Sequence, residues 1–270
     1  MNFKKILAVV MAVIMLALTL SLVACNDSTS TDNDGNNDAD AKAGEESKKE
    51  VLKMGTNAAF KPYEYIEGGK IVGIDAEIAA AIADYLGMEL VIEDMQFDSI
   101  ITAVNNGEVD FGMAGMTITE KRLEEVDFSI SYASGVQSII VKDGSAIETA
   151  DDLFADDATY KVGVQLGTTG DIYCSDDLGT DRVLTYDNGN NAVLALLGGS
   201  VDCVVIDNEP AKALVAANTG LKILDTSYAD EDYAICVAKG NEELLEKIDE
   251  AINALIKDGT IANIVAKYIK

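Results

Sequence analysis

The run Val109-Asp110-Phe111-Gly112-Met113-Ala114-Gly115-Met116-Thr117-Ile118-Thr119-Glu120-Lys121-Arg122 decides the fold class. Val109 to Ala114 is mostly apolar and reads as a strand. Gly115 breaks it, and Thr119-Glu120-Lys121-Arg122 opens a helical turn. A strand that empties through a glycine into a helix is one β-α unit. The residues before it repeat that grammar. Val51 to Gly55 reads as a first strand and Leu90 to Ile92 as a second. Between them, Ile78, Ile82, Tyr85 and Leu86 place a helix over Ile74 to Leu86. Asp75 is expected to cap its start and Gly87 its end. Asp98 is expected to cap a short helix through Val104 that Gly107 closes.

The same order returns further along. Lys161 to Leu166 is a strand, followed by Gly167-Thr168-Thr169-Gly170 and a helix. Val183 to Tyr186 and Val201 to Ile206 are strands, each with a helix after it (Asn190 to Leu197, Asn208 to Ala217). Tyr233 to Ala238 is a last strand. Asn241 caps a long amphipathic helix and a final helix starts at Thr260. Alternating strands and helices predict an α/β fold with largely parallel sheets. Two such sets predict two lobes.

The chain has 270 residues, enough for about two domains. Acids outnumber bases 47 to 20, a formal charge of −27. Such a surface repels phosphate backbones, so nucleic acid is no partner. Histidine is absent, which removes Ser-His-Asp and Cys-His catalysis and imidazole metal sites.

Residues 1–24 read as a secretory signal: Lys4 and Lys5, then the apolar run Ile6 to Leu20, then Leu22-Val23-Ala24 before Cys25. The end of this segment resembles a bacterial lipobox, which implies lipidation of Cys25 and an anchor on the outer face of the cytoplasmic membrane. Residues 25–50 carry no aromatic and no large aliphatic residue, so they are expected to form a disordered tether. No P-loop and no G-x-G-x-x-G after a strand occurs, so no nucleotide cofactor is expected. Cys174, Cys203 and Cys236 form no C-x-x-C pair, so no metal is expected, and burial as small apolar residues is their simplest reading.

Several ordered blocks resemble the polar amino-acid family of bacterial extracellular solute-binding proteins, family 3. They are Gly55-Thr56-Asn57-Ala58-Ala59-Phe60-Lys61-Pro62-Tyr63-Glu64-Tyr65, Gly73-Ile74-Asp75-Ala76-Glu77, Phe97-Asp98-Ser99-Ile100-Ile101, Gly115 to Arg122, and Val126-Asp127-Phe128-Ser129. Gly167-Thr168-Thr169-Gly170 and Asp207-Asn208-Glu209-Pro210 continue the match. The resemblance implies a two-lobed, type II periplasmic-binding-protein-like fold. Lobe 1 would be 51–134 plus 233–270 and lobe 2 135–232, joined by two hinge strands near Ala133 to Gln137 and Glu231 to Ala234. It implies a monomeric receptor that closes over a polar amino acid and hands it to an ABC permease with its ATPase in trans, touching the membrane only through its lipid.

A free amino acid is a zwitterion, and burying it demands a partner for each charge. Arg122 is the candidate for the carboxylate, since its planar fork suits bidentate pairing. Thr117, and Thr169 at a helix start, add hydroxyl and amide donors. Asp207, at the end of an apolar strand, is the candidate for the ammonium, with the Gly115 carbonyl beside it; a helix cap is the competing role for Asp207. By the resemblance, Phe60 and Phe97 flank the ligand side chain, and Asn57 and Gln165 vary with ligand. Two neutral amides lean towards an uncharged polar side chain, although Glu64 is an acid that can reach the pocket. Two other functions compete: a sensing lipoprotein for a signalling partner, and an arogenate or cyclohexadienyl dehydratase on the same fold, which needs a positioned acid.

Overall fold

The computed structural model describes residues 49–269. The signal segment, Cys25 and most of the tether lie outside the described residues. The body begins with β1 (Val51–Thr56) and three short antiparallel strands, β2 (Ala59–Phe60), β3 (Glu64–Glu67) and β4 (Lys70–Val72). Helix α1 (Ile74–Leu86) leads to β5 (Glu89–Asp94), α2 (Ile100–Asn105) to β6 (Phe111–Gly112), and α3 (Glu120–Glu125) to β7 (Val126–Phe128). Then come β8 (Ala133–Lys142), β9 (Val162–Gln165), α4 (Thr169–Leu178), β10 (Val183–Tyr186), α5 (Gly189–Gly198), β11 (Cys203–Asp207) and α6 (Asn208–Ala217). The chain ends with β12 (Leu221–Tyr233), β13 (Cys236–Ala238), α7 (Glu242–Lys257) and α8 (Thr260–Tyr268).

The strands form two five-stranded sheets, ordered β5-β1-β6-β13-β7 and β10-β9-β11-β8-β12. In the first, β1 pairs in parallel with β5 and β6, while β13 runs antiparallel to β6 and β7. In the second, β9 pairs in parallel with β10 and β11, while β8 runs antiparallel to β11 and β12. The sheets are therefore mixed where largely parallel ones were expected. The antiparallel members are those at the two places where the chain passes from one sheet to the other, between β7 and β8 and between β12 and β13. A strand that enters from another sheet needs no helical crossover, so nothing forces it parallel.

This topology sets several parallel strand ends towards one another. The C-terminal ends of β1, β6, β9 and β11 lead to Asn57, the Gly115 loop, Gln165 and Asp207. Ligands of open α/β sheets bind outside such ends.

The apolar periodicity explains the packing. α1 buries Ile74, Ile78 and Ile82 on one face, each worth about 1.5–3 kcal/mol. α7 buries Ile248, Ala251, Ile252 and Leu255 and packs on α1. In the second sheet Ile139, Val141, Val162, Val164 and Val205 share a core with Cys174 and Cys203. All three cysteines of the body are free and buried.

Three expected caps differ. Gly73, not Asp75, occupies the N-cap of α1, at a φ of 131°. A side chain there would collide with the Tyr63 carbonyl, so only glycine lets the chain turn this tightly. Asp75 is thereby carried into the first turn, fully buried, where Oδ2 accepts from Gly115 and Tyr132. Asp98 lies inside a 3-10 turn (Phe97–Ser99) and caps nothing, because that turn starts one residue earlier, after Gln96. Asn241 does sit at the N-cap of α7 but makes no side-chain bond to it. Thr119 and Thr168 do cap, accepting the amides of Arg122 and Asp171.

Candidate ligand-binding site

Arg122 lies on the last helical turn of α3, where Thr119 fixes the register by accepting its amide at 3.2 Å. Its side chain is turned inward and only 5 % exposed. One guanidinium nitrogen donates to the Thr117 carbonyl at 2.7 Å and the other to the Gly167 carbonyl at 3.1 Å. The guanidinium also stands 5.3 Å from the Phe97 ring centroid. Among the described residues no carboxylate lies within ion-pair distance of it. Burial pushes its pKa down, and the negative charges of Glu231 and Asp207 oppose that push. A buried cation without a counter-ion costs several kcal/mol, so this site is built to gain from an anion.

Asp207 stands at the end of β11 with its backbone at the N-cap of α6. Its side chain makes no capping bond, which rules out the competing role. Instead Gln137 Nε2 donates to Oδ2 at 2.9 Å and the Tyr233 hydroxyl donates to Oδ1. Burial first, and then the charge of Glu231, hold the Asp207 carboxyl well above its ordinary range.

Gly115 follows β6 at a φ of 56° and donates its amide to Asp75 Oδ2 at 2.8 Å. Tyr132 donates its hydroxyl to the same oxygen at 2.8 Å. The glycine is needed twice, since a Cβ would also come within 2.9 Å of the Phe60 ring. Burial raises Asp75 to about 6, although both donors work against that. Glu64, on β3, is fully buried, and neither of its oxygens nor Asp75 Oδ1 has a donor. Burial first, and then the nearby Asp75 charge, push Glu64 well above its ordinary value.

Asn57 donates to the Met95 carbonyl at 2.7 Å and accepts from Gln165 Nε2 at 3.0 Å. That bond and the one from Arg122 to Gly167 join the first sheet's loops to the second sheet's. Thr169 opens α4, and its hydroxyl is 3.4 Å from Gln137 Nε2. The first-turn amides of α4 carry the positive end of the helix dipole.

All nine candidate residues line one hollow: Asn57, Phe60, Phe97, Gly115, Thr117, Arg122, Gln165, Thr169 and Asp207. Glu64, Ala114 and Thr168 complete its wall. Sequence reading singled out neither Thr168 nor the buried network of Gln137, Glu231 and Tyr233 behind the wall.

Residues 52–270 match the family described as bacterial extracellular solute-binding proteins, family 3. The chain belongs to this family. An arginine-binding extracellular protein, ArtP, of Bacillus subtilis (strain 168) is 31% identical over 84% of this chain and 89% of its own length. Among solved structures, an ancestral arginine-binding protein bound to glutamine is 42% identical with a TM-score of 0.76, over 81% of this chain and 97% of that one. The same type of protein bound to arginine is 40% identical with a TM-score of 0.76, over 83% and 100%. The fold is the two-lobed type II fold of amino-acid-binding proteins of ABC transporters, and family membership places its work outside the cytoplasm.

Proposed function

We propose that the protein is the extracytoplasmic receptor of an ABC importer and captures one polar amino acid in the hollow lined by these residues. One observation carries this: a buried guanidinium without a counter-ion and a buried carboxyl face the same hollow. Arg122 takes the ligand carboxylate, helped by Thr117, Thr169 and the amides at the start of α4. Asp207 takes the ammonium with the Gly115 carbonyl. Phe60 and Phe97 flank the side chain. The lobes are 51–134 plus 233–270 and 135–232, hinged on β8 and β12, and Cys25 bears the lipid anchor. The protein acts as a monomer, performs no chemistry on the ligand, and leaves ATP hydrolysis to the importer's own subunit.

Asn57 and Gln165 favour a side chain that is polar and uncharged, and the relative bound to glutamine fits that reading. A second reading, a cationic side chain, is favoured by Glu64 itself, whose two oxygens lack donors, and by the relatives that bind arginine.

A thermal-shift screen of the twenty amino acids with ornithine and cystine tests the proposal. A ligand that binds only the folded state raises the melting temperature by mass action. At a concentration of about 100 Kd the gain is about 2.7 kcal/mol, several degrees in a body of this size. No shift with any of them at millimolar concentration would refute it.

A further inference from the structure

Behind Asp207 lies a second buried acid. Gln137 on β8 and Glu231 on β12 stand on the two strands nearest the sheet crossings, and Gln137 is in register with Asp207 of β11. The single nitrogen Nε2 of Gln137 is 2.9 Å from Asp207 Oδ2 and 2.9 Å from Glu231 Oε2. A third acceptor, Thr169 Oγ1, is 3.4 Å away. An amide NH2 has two hydrogens, so both are spent on the carboxyls. Asp207 is 7 % exposed and Glu231 6 %, and Glu231 Oε1 has no donor. Two full negative charges this close, out of water, repel strongly.

We propose that Asp207, buried beside Glu231, holds a proton while the cleft is empty, and that the ammonium of the arriving amino acid displaces it to solvent. A buried carboxyl beside a second negative charge keeps its proton to higher pH than burial alone would allow. An ammonium in contact with Asp207 replaces that proton as the neutralising charge. The direction of the Asp207 shift agrees with this, since burial and Glu231 both raise it. The other ionisable groups that face the pair are Tyr233 of β12, whose hydroxyl donates to Asp207 Oδ1, Arg122 of α3, Tyr173 of α4, and Glu64 and Tyr63 at β3. Arg122 favours the charged pair, but the ligand carboxylate occupies it at the same moment. Glu231, Gln137 and Tyr233 are positioning residues, and through them the charge state of the ammonium site reaches the two hinge strands.

The inference rests on the receptor reading. It predicts proton release on binding, so the affinity rises with pH by up to about tenfold per unit until the empty pair is ionised. The test is calorimetric titration of the whole protein with L-glutamine and with L-arginine, in phosphate and in Tris at one pH. Proton release makes the measured heat depend on the buffer's ionisation enthalpy. The expected result is a buffer-dependent heat equivalent to about half to one proton per ligand. Glu231→Gln removes the neighbouring charge and leaves burial alone to hold the proton on Asp207, so the rise in affinity with pH should move to lower pH and the buffer-dependent heat should shrink. Binding with the same heat in both buffers overturns the inference and leaves the receptor reading standing. A buffer dependence and pH profile unchanged in Glu231→Gln assign the proton elsewhere and overturn it too. No binding heat with these two or with any amino acid of the thermal-shift screen overturns the receptor reading and the inference together. The wild-type titration already decides the matter if the variant fails to fold.

Discussion

Arg122→Met separates binding from folding. The methionine keeps most of the side-chain volume and its packing on Phe97, but removes the charge. In the empty protein the loss is two hydrogen bonds, to the carbonyls of Thr117 and Gly167. Each is worth about 1.5–3 kcal/mol when its donor is charged. Against that stands the relief of a buried cation that lacks a counter-ion, a penalty of several kcal/mol. The two nearly cancel, so the empty variant should melt within a few degrees of the parent. Binding has no such compensation. A ligand carboxylate left buried and unpaired costs about 2–5 kcal/mol. That is a factor of about 30 to several thousand in Kd. The assay is calorimetric titration with the amino acid found in the thermal-shift screen, alongside thermal unfolding of the empty protein. An affinity within threefold of the parent would remove Arg122 from the site. A collapse of the empty melting temperature would make Arg122 a structural residue instead.

Asp207→Asn should weaken amino-acid binding by at least tenfold while the empty protein keeps its melting temperature, because the carboxylate caps no helix; calorimetry and unfolding read both. Gly115→Ala combines a left-handed φ of 56° with a Cβ 2.9 Å from Phe60, so it should cost about 1–3 kcal/mol of stability in urea unfolding and weaken binding as well. Asp75 is raised to about 6, so the folded state holds its proton more tightly than the unfolded state does. Its contribution is therefore full below about pH 4 and is lost as pH rises to about 6, up to about 3 kcal/mol. Wild-type stability minus that of Asp75→Asn should fall over that interval and stay flat above it; a difference that rises with pH would contradict the burial argument.

Thr117, Arg122, Thr169 and Asp207 of the cavity lining were legible in the sequence because they sit where β-α units turn, whereas Asn57, Phe60, Phe97 and Gln165 came from the family resemblance. Glycines and threonines at 115–119 and 167–170 mark those turns whatever the tertiary context. Asp75 was misread for a reason visible only in three dimensions: the close approach of Tyr63 forces the glycine into the cap and swings the acid inward. The β3–β4 hairpin carried a signal, Gly68-Gly69, both residues at positive φ between Glu67 and Lys70. β12 was hidden because Asp225, Ser227, Asp230 and Asp232 face solvent on an edge strand, so its pattern reads as polar loop. Gln137 and Glu231 fall on β8 and β12. Their role comes from the pairing of these strands with each other and of β8 with β11, which no local pattern encodes.

The most direct test of the account is a crystal structure of the protein with the amino acid that emerges from the screen. The ligand carboxylate should make paired hydrogen bonds to the Arg122 guanidinium, and the ammonium should contact Asp207. A ligand seated outside this cavity, or one inside it with its two charged ends on other groups, would contradict it.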